Sequence, residues 1–144
     1  MSKKFTVEGK TLETGLTVYD YQIPFQKLIT LYVPNESRSG FDTFDTYFDG
    51  TIDGLVNALV TYGAIPKGTK VYSFTENGET AKFNLSDEFG VGVNEARTGE
   101  FLVVGSLVNT VIRYYKVDYV HFIVEGKILE TGLNIYDSPI EFMA

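Results

Sequence analysis

A near-duplicate segment is the feature of this chain that most constrains its fold. Residues 5–20 (FTVEGKTLETGLTVYD) recur at residues 122–137 (FIVEGKILETGLNIYD), with twelve of sixteen positions identical and an offset of 117 residues. This offset is the length of a small domain and exceeds the period of about 20–50 residues that is typical of solenoids. We therefore expect one complete unit preceded by the trailing edge of another copy, as in a slice of a tandem array. Such arrays usually bind or scaffold, which argues against catalysis.

The two copies differ beside their turns, and the difference predicts different environments. A two-residue turn at Glu125-Gly126 pairs Ile123 with Ile128, whereas the first copy has Thr6 and Thr11 at those positions. The same turn pairs an apolar Phe with an apolar Leu on the other face in both copies. We therefore expect the second hairpin to be buried on both faces and the first on only one. The first hairpin is predicted to lie at a strand edge, in this chain or in a neighbour.

Length and charge bound the class of protein. The chain of 144 residues is long enough to bury a core, and the repeat divides it into an appendage, 1–26, and a folded domain, 27–144. A net charge of −7 without a basic run disfavours nucleic acid and anionic membranes as partners. The absence of cysteine excludes disulfides and thiolate metal sites. No segment approaches the roughly 18 apolar residues that span a bilayer, so we expect no direct membrane insertion.

Hydrophobic periodicity predicts the first strand and helix. Leu28–Val33 reads as a buried strand that ends at a Pro-Asn pair, and the polar residues 35–50 are predicted to form a surface loop. Apolar residues then recur at helical spacing from Ile52 to Leu59. Thr51 is predicted to cap this helix, and a glycine and a proline downstream are expected to end it.

A hairpin is predicted over Thr69–Leu85. Asn77-Gly78 favours a two-residue type I′ turn, in which both central residues have positive φ. The turn places Phe74 opposite Ala81 and Tyr72 opposite Phe83. These four side chains are expected to face the core and the alternate ones to face solvent.

A second helix is predicted over Asn94–Tyr115. One apolar stripe runs along it, made of Phe101, Val104, Gly105, Val108, Val111, Ile112 and Tyr115. Leu102, Val103 and Leu107 lie outside the stripe. The helix is therefore either a central core helix or one whose second apolar face contacts another subunit.

The order of elements predicts the fold class. After the second helix, Asp118–Val124 reads as a strand that turns at Glu125-Gly126 into Lys127–Glu130. The order is β-α-β-β-α-β with an extra β-hairpin at each end. It indicates an α+β domain, with two helices on one face of a small mixed sheet.

The only histidine and the clustered aspartates are the candidates for chemistry. The hairpin register predicts that His121 pairs with Glu130, which accounts for the imidazole without catalysis. One histidine without cysteine supports neither a His/Cys metal site nor a Cys–His nucleophile. Four aspartates at positions 42, 45, 49 and 53 lack the alternating spacing of a calcium loop, so a solvated acidic loop is favoured. We predict no catalytic, cofactor-binding or metal-binding residue.

Two further patterns are ambiguous. Gly90-Val91-Gly92 resembles a phosphate-binding loop but lacks the third glycine and the lysine, and is better explained as a flexible entry to the second helix. The four aromatic residues of the 35–50 loop are Phe41, Phe44, Tyr47 and Phe48. They either fold back on the domain or form a docking surface.

The stretch from Leu28 to about Asp137 resembles a GerM domain, the sporulation and spore germination module. The likeness lies in LITLYVPNES, AIPKGTKVYSF, NGETAKFNLSDEF and SLVNTVIRYYKVDYVHFIVEGKIL, which occur in the family's order and spacing. The resemblance implies a fold similar to ring-building motifs, and a non-enzymatic, extracytoplasmic domain of the cell envelope, often lipoprotein-like and present in tandem. No lipobox is present here, and the 35–50 loop matches no family pattern.

These observations favour a structural or interaction module over an enzyme. The expected partners are other proteins or a second copy of the chain, with the sheet edges and the exposed parts of the second helix in contact. The alternative, from a different class, is a module that targets peptidoglycan or another glycan through surface aromatic residues.

Overall fold

The computed structural model of the chain describes residues 26–96 and 99–143. The predicted amino-terminal hairpin lies outside these residues. The elements, in chain order, are β1 (Lys27–Pro34), β2 (Phe41–Phe48), α1 (Ile52–Thr61), β3 (Val71–Glu76), β4 (Thr80–Leu85), α2 (Asp87–Ala96), α3 (Glu100–Tyr115), β5 (Tyr119–Val124), β6 (Leu129–Glu130) and β7 (Ile135–Tyr136). The predicted α+β class is confirmed, although the described ranges contain three helices rather than two, and two strands that were not predicted, β2 and β7.

The predicted loop over residues 35–50 is wrong, because half of it, Phe41–Phe48, is strand β2. β2 pairs antiparallel with β1 along its whole length, from Lys27 opposite Phe48 to Pro34 opposite Phe41. The intervening turn is closed by Asn35, whose Oδ1 accepts the Ser39 N–H at 2.9 Å. The aspartates in this segment favoured the prediction of a loop, although the segment is otherwise rich in Phe, Tyr and Thr, which favour strands.

Helix α1 begins and ends as predicted. The Thr51 hydroxyl accepts the Gly54 N–H at 2.9 Å, which satisfies one of the free donors at the helix start. The helix ends at Thr61, and Gly63 follows with a φ of 75°. Its buried side, formed by Leu55, Val56 and Leu59, faces the core.

The β3–β4 hairpin forms, but the predicted register is wrong by two residues. Phe74 lies opposite Phe83 rather than Ala81, and Glu76 lies opposite Ala81. Within the turn, Gly78 has a positive φ and Asn77 does not, so the turn is not type I′. The Asn77 side chain instead accepts the Glu79 and Thr80 N–H groups at 2.9 and 2.8 Å, which stabilises the loop between the two strands.

Tyr72 is a second correction in the same hairpin. An irregularity in the β3–β4 register lies between Val71 and Ser73. The Tyr72 side chain is 55% exposed, although alternation placed it in the core. A bulge of this kind re-aims side chains, and here it directs a tyrosine to solvent.

Strands β4 and β5 are parallel neighbours in the sheet β3-β4-β5. Parallel strands need a long crossover, which α2 and α3 supply. The prediction of one helix from Asn94 is wrong, since α2 ends at Ala96 and α3 begins at Glu100. Gly99, a weak helix former, lies at the N-cap of α3.

Helix α3 is the central core helix. Of the three candidates for a subunit contact, Leu102 and Leu107 are 1% and 0% exposed within this chain, and Val103 is partly buried against the core. Phe101, which periodicity assigned to the inner stripe, is 38% exposed. The helix is apolar on more than one face because β1, β5, α1 and α2 all pack against it.

The predicted pairing of residues 121–130 is also wrong. Glu125 and Gly126 form the tight turn, with φ of 51° and 75°, and Val124 bridges Lys127. Pairing then stops: β6 pairs with β7, so that Leu129 lies opposite Tyr136. Leu129 packs near Gly90 of α2, so that this part of the chain lies against α2 rather than beside β5. Ile128 is 52% exposed, so the second hairpin is not buried on both faces.

Candidate functional site

The segment that follows the Glu125-Gly126 turn, residues 127–143, is called the carboxy-terminal arm. It is held against the domain by a buried carboxyl group. Glu100, the first residue of α3, is 2% exposed. Its Oε2 accepts hydrogen bonds from the Thr131 hydroxyl at 3.1 Å, the Asn134 amide at 2.8 Å and the Tyr136 hydroxyl. These four residues form the Glu100 cluster.

Burial of a carboxyl group is costly unless donors surround it. Three side-chain donors, all from the arm, converge on Oε2, while Oε1 has no partner among the described residues. The start of α3 adds the favourable end of the helix dipole. Burial, then the hydrogen bond to Glu100, raises the pKa of Tyr136 well above its usual value, so the phenol remains a donor. The cluster therefore links the arm to α3.

Backbone contacts hold the rest of the arm. Val120 of β5 and Ile140 exchange both backbone hydrogen bonds, at 2.9 and 2.8 Å. The Asn109 side chain donates to the Met143 carbonyl at 2.6 Å and accepts its N–H at 2.8 Å. The surface of α3, β5 and β1 that contacts the arm is called the arm site.

Aromatic contacts complete the arm site. The ring of Tyr136 lies 5.5 Å from that of Phe122 in β5, and the ring of Phe142 lies edge-on to Tyr32 at 5.4 Å. Thr110 of α3, next to Asn109, accepts the N–H of Tyr32 at 3.0 Å. One buried turn of α3 therefore binds both β1 and the arm.

Sequence reasoning missed Glu100, Asn109 and Thr110. All three are buried polar residues in a helix whose other buried residues, apart from Ser106, are apolar or glycine. Buried polar side chains nearly always have hydrogen-bond partners. Polar residues within an apolar helix were therefore the sequence signal that could have indicated these contacts. Their partners could not be found from periodicity, because they lie 31 to 78 residues away in the chain.

His121 lies in β5, but its predicted partner is wrong. Its register neighbour in the sheet is Lys82 of β4, whereas Glu130 lies opposite Ile135. The imidazole Nε2 is buried and has no hydrogen-bond partner in the described part of the chain. Strand pairing therefore places a lysine, and not the predicted carboxylate, beside His121.

The four aspartates are dispersed rather than gathered. Asp45 accepts the Thr30 hydroxyl at 2.7 Å across the hairpin, and Asp49 accepts the Thr51 hydroxyl at 2.7 Å. The bond from Thr51 lowers the pKa of Asp49. Asp53 lies in the first turn of α1. Across residues 26–96 and 99–143, no group of three or more His, Cys, Asp or Glu side chains is placed to hold a metal ion.

Most of the aromatic side chains of β2 fold back on the domain. Phe48 is 6% exposed and contacts Tyr114, while Phe44 contacts Tyr62 with ring centres 4.6 Å apart. Phe41 packs on Gly105 of α3. Tyr47 alone of the four is largely exposed, at 64%, opposite the exposed Leu28.

The two glycines of the Gly90-Val91-Gly92 motif have packing roles inside α2. A Cβ at Gly90 would press on Val124 and Leu129, and one at Gly92 would clash with Pro66. The interpretation of this motif as a flexible entry is therefore wrong. An open groove of about 500 Å³ runs between α2 and residues 124–130. Exposed Val91 and Ile128 lie along it.

The outer edge of the sheet β3-β4-β5 is an exposed strand. β3 pairs with β4 on one side, and no described strand pairs with its other side. Tyr72 projects from it and donates to Glu125 Oε2 at 2.9 Å. Glu125 also accepts the Asp87 N–H at 2.9 Å, so the tyrosine is held in place. None of the helices described in the structure has the length and apolarity to cross a membrane.

Solved structures share this architecture. The first GerMN domain of the sporulation protein GerM from Bacillus subtilis superposes with a TM-score of 0.56 at 17% identity, over 81% of this chain and 95% of that domain. The tandem GerMN domains of the same protein give a TM-score of 0.52 at 15% identity, with 84% of this chain and 46% of theirs covered. A structure described as a candidate lipoprotein from Clostridium perfringens gives 0.48 at 18% identity, with 84% and 91% covered. The likeness to the GerMN domains, at 17% and 15% identity, shows the fold alone.

Comparison of sequences identifies the family. No curated protein matches the chain significantly. The family model described as "Germane: Sporulation and spore germination" matches residues 30–130, which include every element from most of β1 to β6. The predicted resemblance is thus confirmed, and the chain belongs to the Germane family of sporulation and spore germination domains.

Proposed function

We propose that this chain is a non-catalytic assembly module of the bacterial cell envelope, which acts in sporulation or germination by self-association or by docking a protein. Membership of the Germane family supports the cellular process. An extracytoplasmic location accords with the resemblance to GerM domains. The observation that carries the proposal is the outer edge of β3, with which no strand among residues 26–96 and 99–143 pairs.

An edge strand presents unpaired N–H and C=O groups that can pair with a strand of another molecule. β3 offers six residues, Val71–Glu76, of which four have exposed side chains. Tyr72 adds an aromatic ring that is fixed by its bond to Glu125. A side chain that is already ordered loses little entropy on binding, which favours its use in an interface.

Light scattering of the whole chain over a wide range of concentration tests self-association. The expected result is a rise in mass that Ser73→Lys suppresses, since a lysine on an edge strand opposes further pairing. The control is Asn94→Lys on the exposed side of α2, which changes the charge equally. Because the net charge is −7, lysine lowers the overall repulsion, so charge alone cannot explain a loss of mass.

Two results would contradict this use of β3. If the wild-type protein remains monomeric at every concentration and binds no protein partner, both self-association and protein docking are excluded. Association that Ser73→Lys and Asn94→Lys affect equally removes the β3 edge as its basis.

Exposed tyrosines favour glycan binding as a second candidate. Tyr47, Tyr62 and Tyr72 are 64%, 51% and 55% exposed, and each combines an apolar ring with a hydroxyl. Binding of this kind predicts that the wild-type chain cosediments with purified cell-wall sacculi and that Tyr47→Ser reduces the bound fraction. Equal sedimentation of the chain with and without sacculi would exclude it.

A further inference from the structure

The amino-terminal repeat carries the residues with which the carboxy-terminal arm is held. The arm is anchored at the Glu100 cluster and on β5. At the constant offset of 117 residues, Leu129, Thr131, Tyr136, Ile140 and Phe142 have as counterparts Leu12, Thr14, Tyr19, Ile23 and Phe25. The last two pairs extend the correspondence beyond residues 5–20. Each counterpart is the identical residue type.

Residues 10–26 and 127–143 differ at seven of seventeen positions, and only two of the seven, Asn134 and Met143, make hydrogen bonds to α3. Met143 is replaced by Gln26, but its contacts with Asn109 are made by its backbone. Asn134 is replaced by Thr17, which retains a hydroxyl donor for Glu100. An arm built from residues 10–26 can therefore reproduce almost all the contacts of residues 127–143.

We propose that residues 10–26 of one copy displace the carboxy-terminal arm of a second copy and occupy its arm site. The inference rests on the proposed self-association and adds to the β3 edge a second contact surface, the arm site of another copy. The incoming segment offers nearly the same hydrogen-bonding groups and rings as the arm that it replaces, so exchange costs little free energy and is favoured as concentration rises. Release of the arm leaves β5 and its partner β4 in place, because the arm begins after the Glu125-Gly126 turn.

Chain geometry favours a second copy over the same one. Met143 lies beside Asn109, and the adjacent Thr110 binds the N–H of Tyr32. In its own chain Gln26 directly precedes β1 and is six residues from Tyr32, which corresponds to roughly 20 Å of strand. To occupy its own arm site in register, the chain would have to unpair Lys27 from Phe48. A neighbouring molecule meets no such restriction.

The exchange is directional. Each copy supplies one amino-terminal segment and one arm site, so two copies can exchange reciprocally, and more can join head to tail into a ring or an open chain. Glu100 selects the occupant, because a segment without the threonine and tyrosine donors would leave a buried carboxyl group without partners.

Cysteine cross-linking distinguishes the two occupants of the arm site, and the chain has no native cysteine. Val120 and Ile140 exchange both backbone hydrogen bonds. Such pairs have Cα atoms about 5.5 Å apart, within the disulfide range of about 4.4–6.8 Å. The intrachain double variant Val120→Cys/Ile140→Cys should therefore form a disulfide within one chain, which verifies that the substituted protein folds.

The test mixes an isotope-labelled Ile23→Cys chain with an unlabelled Val120→Cys chain and oxidises them together. Exchange predicts a disulfide between labelled and unlabelled peptides in the mass spectrum. The control replaces Ile23→Cys by Gln22→Cys, which shifts the cysteine by one residue to the other face of the segment. We expect several-fold more cross-linking with position 23 than with position 22.

Two outcomes would overturn the exchange. One is equal cross-linking from positions 22 and 23, and the other is a disulfide within a single chain in the double variant Ile23→Cys/Val120→Cys. If cross-linking fails while the wild-type mass still rises with concentration, the exchange is lost and the proposed self-association stands. If the wild-type chain also stays monomeric, both are lost.

Discussion

At the scale of single residues, Glu100 determines how the end of the domain is held. A buried carboxyl group at a helix start needs donors, and here they come from Thr131, Asn134 and Tyr136. Such a group stabilises the fold only with its partners present, because a donor that is removed leaves the acceptor desolvated. The arm and α3 are thus energetically coupled.

Tyr136→Phe should destabilise the protein by about 1–3 kcal/mol, because it removes one donor and leaves the ring against Phe122. Urea unfolding measures the change. Tyr47→Phe is the matched control, since its ring is largely exposed and its loss of hydroxyl should cost less than about 0.5 kcal/mol. Equal effects of the two substitutions would contradict a stabilising role for the Glu100 cluster.

The raised pKa of Tyr136 also predicts a dependence on alkaline pH. A phenol whose pKa is higher in the folded than in the unfolded state stabilises the fold below about pH 10, and this contribution is lost as the pH rises further. The difference in unfolding free energy between wild type and Tyr136→Phe should be constant to about pH 9 and shrink above it. Other tyrosines affect both proteins alike. A difference that grows with pH would have the wrong sign.

At the scale of elements, periodicity found the apolar segments but not their partners. β1, α1 and β5 were predicted near their observed bounds because each has a clear apolar pattern and a turn or cap at its end. β2 was missed because its core contacts come from α3 and α1, which a local pattern does not include. The β3–β4 register was missed because the Asn77 side chain, rather than a type I′ turn, sets the loop length.

Gly105→Ala should destabilise the protein, although alanine normally stabilises a helix by about 1 kcal/mol relative to glycine. A Cβ at this position of α3 would clash with the ring of Phe41 in β2. We expect a net loss of about 1–3 kcal/mol from overpacking. In a Phe41→Leu background the same substitution should cost less, which a double-mutant cycle of unfolding free energies measures. Identical costs in both backgrounds would exclude the Phe41 contact as the cause.

Strand β2 carries a buried aromatic residue, Phe48, next to an exposed one, Tyr47. Substitution of each in turn distinguishes a ring that packs in the core from a ring that is available for docking. Phe48→Ala should lose about 3–5 kcal/mol of stability, because the ring is 6% exposed and packs on Tyr114. Tyr47→Ala should change stability by less than about 0.5 kcal/mol. Thermal unfolding compares them. A large loss from Tyr47→Ala would mean that its ring is covered in the folded chain.

At the scale of the whole molecule, α3 joins parts of the chain that are distant in sequence. It contacts β1 through Thr110, the arm through Asn109 and Glu100, and the sheet through its apolar side chains. The candidate site could be predicted only in outline. The repeat identified residues 122–137 as important, but the acceptor for their side chains lies in another element, and sequence periodicity does not report such contacts.

Asn109→Ala should loosen the arm without opening the rest of the domain. Loss of its two bonds to Met143 should raise hydrogen exchange at the Ile140 and Met143 amides, equivalent to about 1–3 kcal/mol of local opening. The amides between β3 and β4 should change much less. Ser106→Ala is the matched control, because this buried hydroxyl binds only Leu102 of its own helix turn. Uniform acceleration in both variants would indicate global destabilisation instead.

The distance in sequence between Glu100 and its donors has a consequence for biosynthesis. Thr131, Asn134 and Tyr136 leave the ribosome more than thirty residues after the carboxyl group that they shield. During translation the Glu100 carboxyl group therefore has only water as a partner until these donors have been synthesised. The Glu100 cluster can therefore form only after Tyr136 has left the ribosome.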